Sequence, residues 1–182
     1  ATSGDLLWAK RFGGISDDYG QAVAFDVAGD IVVTGLFWGN VNFGGGPLTG
    51  GGPADIFLAT YSPSDGSHVR SRSFGGSGSD GAFALGVGSG GATVVGGEFT
   101  DTVDFGGGGV ASLGLSDAFV ASYSGTDGTY LSSLHIGSTA ADRVQALATD
   151  ASGDIVVAGY FSGTVDFGGG PLVSAGNLDI FV

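Results

Sequence analysis

The feature that most constrains this chain is an internal repeat with a period of 62 residues. The stretches GDIVVTGLFWGNVNFGGGPL, GATVVGGEFTDTVDFGGGGV and GDIVVAGYFSGTVDFGGGPL begin at Gly29, Gly91 and Gly153, and the register between them holds without a gap. Asp18, Asp80 and Asp142 correspond, as do Phe37, Phe99 and Phe161, and again Asp55, Asp117 and Asp179. A fixed period of this length marks one supersecondary unit that cannot bury its apolar face alone and must stack on its neighbours.

Each unit reads as four strands. The first, near Ala22–Ala28, alternates small Ala22 and Ala24 with larger Val23, Phe25 and Val27, and a small face implies a close neighbouring sheet. A turn through Gly29-Asp30 leads to a second strand, Ile31–Phe37, which places Phe37, Phe99 and Phe161 in the core. The third strand is Asp55–Tyr61, and an Asp65-Gly66 turn closes it onto a fourth, His68–Phe74. Between the second and third, Val41–Leu48 holds two β-prone pieces around a triple glycine, which predicts an extra small hairpin. Four antiparallel strands recurring in tandem describe the blade of a β-propeller. The expected class is therefore all-β, with 1–12 as an outer strand, 13–74 and 75–136 as two blades, and 137–182 as a third blade lacking its outer strand.

Composition agrees. The chain has 39 Gly, no Cys and no Met, and long straight-chain helix formers are scarce. The net charge of −13 leaves no basic stripe to neutralise phosphates, which argues against nucleic acid. No apolar run approaches the ~18 residues of a membrane-spanning helix, so no membrane insertion is expected. The few cations, Lys10, Arg11, Arg70 and Arg72, fall mainly on fourth strands, where charge guards an outer edge against pairing.

The ends of the repeat array suggest how it closes. Ala1–Phe12 aligns with the fourth-strand segment Pro63–Phe74, whereas Asn177–Val182 aligns with a third strand. Propellers typically carry about four to eight blades. Three blades thus predict half of a six-bladed ring, a homodimer in which each N-terminal strand completes the last blade of the other copy. An excised part of a longer propeller is the competing expectation.

The segments WAKRFGG (Trp8–Gly14), DIVVTG and DIVVAG, FSGTVDFGGGPL (Phe161–Leu172) and DIFV (Asp179–Val182) resemble the bacterial SBBP-type β-propeller repeat family over nearly the whole chain. The middle copy departs most, with Ala92 in place of Asp30 and Gly88 in place of Asp26. The resemblance implies a module of a secreted or cell-surface bacterial protein.

Chemistry is sparse. His68 and His135 occupy different places in the repeat, and a single Glu and no Cys leave no nucleophile–base pattern, so no enzyme is expected. GGSGSDGAF (Gly75–Phe83) matches one calcium nonapeptide, but such sites need the motif stacked in tandem. Asp18, Asp80 and Asp142 form the candidate metal set, a ring of carboxylates suited at most to weak Ca2+ binding. The alternative is that each Asp caps its own loop, and no cofactor is expected. Residues that differ between repeats are the better ligand candidates, here the aromatic platforms Tyr19, Trp38 and Tyr160. Two functions follow as expectations. One is a non-enzymatic scaffold or interaction module presenting loops to another macromolecule, such as a surface protein. The other is a glycan-binding, lectin-like propeller.

Overall fold

The computed structural model describes residues 4–182. It is all-β, with no helix among the described residues. The first repeat contains β1 (Asp18–Phe25), β2 (Ile31–Phe37), β3 (Asn40–Asn42), β4 (Pro47–Thr49), β5 (Asp55–Tyr61) and β6 (His68–Phe74). The second contains β7 (Gly81–Val87), β8 (Thr93–Phe99), β9 (Thr102–Asp104), β10 (Gly109–Ala111), β11 (Asp117–Tyr123) and β12 (Tyr130–Ile136). The third contains β13 (Arg143–Thr149), β14 (Ile155–Phe161), β15 (Thr164–Asp166), β16 (Pro171–Val173) and β17 (Asp179–Phe181). Long strands pair antiparallel in the orders β1-β2-β5-β6, β7-β8-β11-β12 and β13-β14-β17, and the short strands form one two-stranded hairpin per repeat.

The second, third and fourth strands of the first repeat begin and end where the alternation of residues places them. The first strand does not: it runs Asp18–Phe25 rather than Ala22–Ala28. Its register slips between Gly20 and Ala22, and the same bulge recurs at Ala82/Ala84 and Val144/Ala146. A bulge shifts the alternation by one residue, so only the segment after it reads as period 2. The bulge also drives the carbonyls of Tyr19, Gly81 and Arg143 toward the next strand. A Cβ on Gly35, Gly97 or Gly159 would collide with them, which explains the glycine in every copy. At the other end, Asp26 accepts the amides of Ala28 and Asp30 and turns the chain before β2.

The FGGG segments bind each hairpin to its sheet. Asn42, Asp104 and Asp166 each accept two amides of the following glycine run. The preceding Phe43, Phe105 and Phe167 meet Phe37, Phe99 and Phe161 edge-on, at centroid separations of 5.9, 5.7 and 5.6 Å. Such pairs add about 0.5–1.5 kcal/mol beyond simple burial. The Tyr61 and Tyr123 hydroxyls donate to the Phe43 and Phe105 carbonyls. Burial pushes the Tyr61 hydroxyl up to about 12 and that of Tyr123 higher still.

Sheets stack face to face, β7 lying against β1 and β2, and β13 against β7 and β8. At the first joint, Ile56, Leu58 and Phe74 of the first repeat share one core cluster with Ala82, Val95, Phe105, Phe119 and Tyr123 of the next. At the second, Ala118 and Val120 cluster with Ile136, Val144, Val157, Phe167 and Phe181. The five positions of the second set are the first set advanced by one repeat. Side chains from β5 or β11 thus plug the same socket twice.

Residues 4–14 form no strand, although an outer strand is expected over 1–12; Ala1–Ser3 of that segment lie outside the described residues. The segment nonetheless sits on the first sheet as β6 sits on the second. Trp8 donates to the Pro63 carbonyl and Lys10 to that of Gly66, while Arg70 and Arg72, one repeat later, donate to Gly125 and Gly128. Phe12 stacks on Tyr61 at 5.0 Å, and Phe74 stacks on Tyr123 at 4.8 Å. Lys10, Arg70 and Arg72 therefore tie one repeat to the turn of the next, a role beyond guarding an edge.

Candidate functional site

The loops before β7 and β13 approach the loops before β5 and β11 of the preceding sheet. The Asp80 amide donates to the Ala54 carbonyl, and the Asp142 amide to that of Ser116. This stitching builds one loop surface, and the candidate aspartates stand inside it. Asp18 accepts the amides of Gly14 and Trp38. Asp80 accepts those of Gly76 and Thr100, and Asp142 those of Ser138 and Ser162. Each carboxylate therefore spans its own loop and the residue just after the second strand of its sheet. Every oxygen of the three is engaged by a backbone N–H, which is the loop-capping arrangement. Among the described residues, no three His, Cys, Asp or Glu side chains gather so as to hold a metal ion.

Burial sets the electrostatics of these caps. Asp80 is buried, and desolvation pushes its carboxyl up to about 6 against the opposing pull of its two amides, with Asp55 and Asp101 nearby adding to the rise. Asp142 is raised for the same leading reason. A second set of recurring caps, Asp55, Asp117 and Asp179, accepts the amides of Gly51 and Gly52, of Leu113, and of Ala175.

The structure brings Tyr19 and Trp38 together and leaves Tyr160 elsewhere. Tyr19, at the start of β1, meets Trp38, just beyond β2, edge-on at 5.8 Å, and half of Tyr19 is exposed. Tyr160 lies on β14, where its ring is 5.4 Å from the Arg143 guanidinium. Arg143 also lies 4.1 Å over Phe83 and forms an ion pair with Glu98 across the second joint. Glu98 and Tyr160 occupy one repeat position, and Tyr19 and Arg143 occupy another.

Residue spacing does not reveal the pair His135–Asp117. His135 Nε2 lies 2.5 Å from Asp117 Oδ2, on neighbouring strands, with the imidazole edge-on to Phe99. Asp117 Oδ1 is buried without a hydrogen-bond partner. Position 73 in the first repeat holds Ser, so the pair belongs to the second sheet alone and the repeat pattern carries no sign of it. None of the three most pronounced cavities touches it.

A cavity of about 470 Å³ opens on the face of the first sheet that carries Val33. Phe12, Val33, Phe43, Phe57 and Tyr61 make an apolar wall, and Tyr19, Lys10, Arg11 and Asp18 line it as well.

Comparison with known proteins found no matching family model and no matching curated protein.

Proposed function

We propose that the three sheets are blades of a β-propeller of the SBBP repeat type, and that the chain is a non-enzymatic interaction module whose loops bind another macromolecule at the bacterial surface or outside the cell. Strand order, repeated hairpins and repeated sheet-on-sheet joints support the propeller. One observation carries the functional reading: the recurring polar groups of the loops are spent on backbone amides. Carboxylates committed in this way hold loops rigid and are poorly placed to abstract protons from a substrate. Loops braced by repeated caps leave the residues that vary between repeats as the ones that meet a partner.

The Tyr19–Trp38 pair favours a second reading, glycan binding. Two aromatic rings beside a loop offer an apolar face for a sugar, with polar groups at the rim. A glycan array probed with the chain and with Trp38→Ala separates the two. Absence of glycan binding, together with saturable binding to intact bacterial envelopes that exchange of the 13–20 loop abolishes, supports the scaffold. Glycan binding weakened tenfold or more by Trp38→Ala replaces it with the lectin reading.

A further inference from the structure

Arg70 and Arg72 stand on one face of β6, opposite Thr60 and Leu58 of β5. That face looks into the first joint, and the Asp127–Gly128 turn of the second repeat closes over its outer end. Between them lies a cavity of about 210 Å³ whose walls include Leu58, Thr60, Arg70, Arg72, Asp127 and Gly128. The equivalents of the two arginines are Trp8 and Lys10 one repeat earlier and Ser132 and Leu134 one repeat later, so the pair occurs once. We propose that this cavity binds a sugar acid of the hexuronate class, with its carboxylate on Arg72 and its hydroxyls on Asp127 and Thr60.

Three observations point to that ligand. First, Arg70 donates to the Gly125 and Thr126 carbonyls and lies 3.7 Å from Asp26. Arg72 donates to the Gly128 carbonyl and lies against the Phe74 and Tyr123 rings, but among the described residues it forms no ion pair. The rings offset part of its desolvation. A partly buried guanidinium without a counter-ion, in a chain of net charge −13, is still half of an ion pair. Second, Thr60 is 1% exposed, lines the cavity, and has no hydrogen-bond partner for its hydroxyl among the described residues. The equivalent Ser122 has Ser132 to bond across the strands, where Thr60 has Arg70. Third, Asp127 stands on the opposite wall. The Thr129 amide, then the Ser124 and Thr129 hydroxyls, hold its carboxyl down to about 2, so it is ionised and accepts hydroxyl protons. A bare anion would gain at Arg72 and lose at Asp127. A ring with a carboxylate on one edge and hydroxyls on the other satisfies both walls, with its apolar face on Leu58. The volume is below the roughly 300–1,000 Å³ of drug-sized ligand sites, which suits one sugar ring. The Asp127–Gly128 turn follows β11 whereas the loop surface precedes it, so the site stands apart from what those loops bind.

Titration of the isotope-labelled 182-residue chain with glucuronate should give saturable nuclear magnetic resonance shifts at the Thr60, Arg72 and Gly128 amides. The expected Kd is about 1 mM or tighter. Glucose, acetate, inorganic phosphate and free serine should each bind at least about tenfold more weakly, because each lacks one of the two matched edges. Arg72→Gln should weaken glucuronate about tenfold or more, and Asp127→Asn about threefold, with the weak binding of acetate undiminished by the latter. Arg72 also packs on Phe74 and Tyr123, so Thr60→Val supplies a variant of the same shape that leaves the guanidinium in place. It should weaken glucuronate about threefold while the circular dichroism spectrum stays unchanged. The absence of saturable shifts with glucuronate, equal binding of acetate, phosphate or serine, shifts confined to Tyr19 and Trp38, or a Thr60→Val chain that binds as the parent does would each overturn the proposal.

Discussion

Strands β2 and β14 are nearly the same sequence, IVVTGLF and IVVAGYF, yet they live in different surroundings. Val32 is 1% exposed and Val156, its equivalent, is 52% exposed. Phe37 and Phe161, at the far end of the two strands, are both buried. The difference is greatest on the face that carries Val32 and Val156. Val32 points at the second sheet, while the matching face of the third sheet has no neighbouring sheet among the described residues. At the phenylalanine, the repeat's own hairpin covers the ring through Phe43 and Phe167; Phe37 is buried within a cluster of the first repeat alone, whereas Phe161 shares its cluster with Ala118 of the second sheet. Two sources of burial therefore coexist: one internal to each repeat, one supplied only by stacking.

The largest expected effect separates the two valines. Val32→Asp places an unpaired carboxylate in a dry joint and should cost about 4 kcal/mol or more, while Val156→Asp should stay within about 0.5 kcal/mol. Urea titration of the two variants side by side makes the measurement. Equal losses would break the comparison. Next come the phenylalanines: Phe99→Ala and Phe161→Ala should each cost about 3–5 kcal/mol. A loss below about 1 kcal/mol at Phe161 would mean the third sheet does not pack as the first two do.

The glycine runs sharpen the contrast at smaller scale. A Cβ at Gly107 would lie 2.5 Å from the Tyr130 hydroxyl, whereas one at Gly169 meets nothing. Gly107→Ala should cost about 1–3 kcal/mol by overpacking, and Gly169→Ala should be neutral within about 0.5 kcal/mol. Thermal unfolding of the two variants side by side tests it.

The smallest effect is one of slope. Asp80, pushed up to about 6 from an ordinary 3.8, binds a proton more tightly folded than unfolded. Its contribution to stability is complete below pH about 4 and is lost as the pH rises through about 6. Asp80→Asn should remove that part of the decline when unfolding midpoints are followed between pH 4 and 7. Parallel profiles for the two proteins would show that the carboxylate titrates normally.

Much of this arrangement is legible in the residues, and the reason is local. Alternation and glycine punctuation place β2, β5 and β6 to the residue, because a strand's side chains point to opposite faces with a period of two. The FGGG element announces its hairpin for the same reason. Bulged β1 is displaced because one extra residue inverts the alternation that marks it. Loop caps are half legible: recurrence singles out Asp18, Asp80 and Asp142, but only the positions of the Trp38, Thr100 and Ser162 amides show what each second oxygen does.

By itself, the sequence determined the second, third and fourth strands of the first repeat, the extra hairpin, the 62-residue period and the core place of Phe37, Phe99 and Phe161. Tertiary structure alone decided which of two identical faces is covered, that Tyr19 meets Trp38 but not Tyr160, and that His135 reaches Asp117. The physical reason is range. Backbone stereochemistry dictates the face on which a side chain stands, and it acts between adjacent residues. Burial of that face depends on a sheet 62 residues away in the chain, and IVVTGLF and IVVAGYF carry no local sign of whether such a neighbour is there.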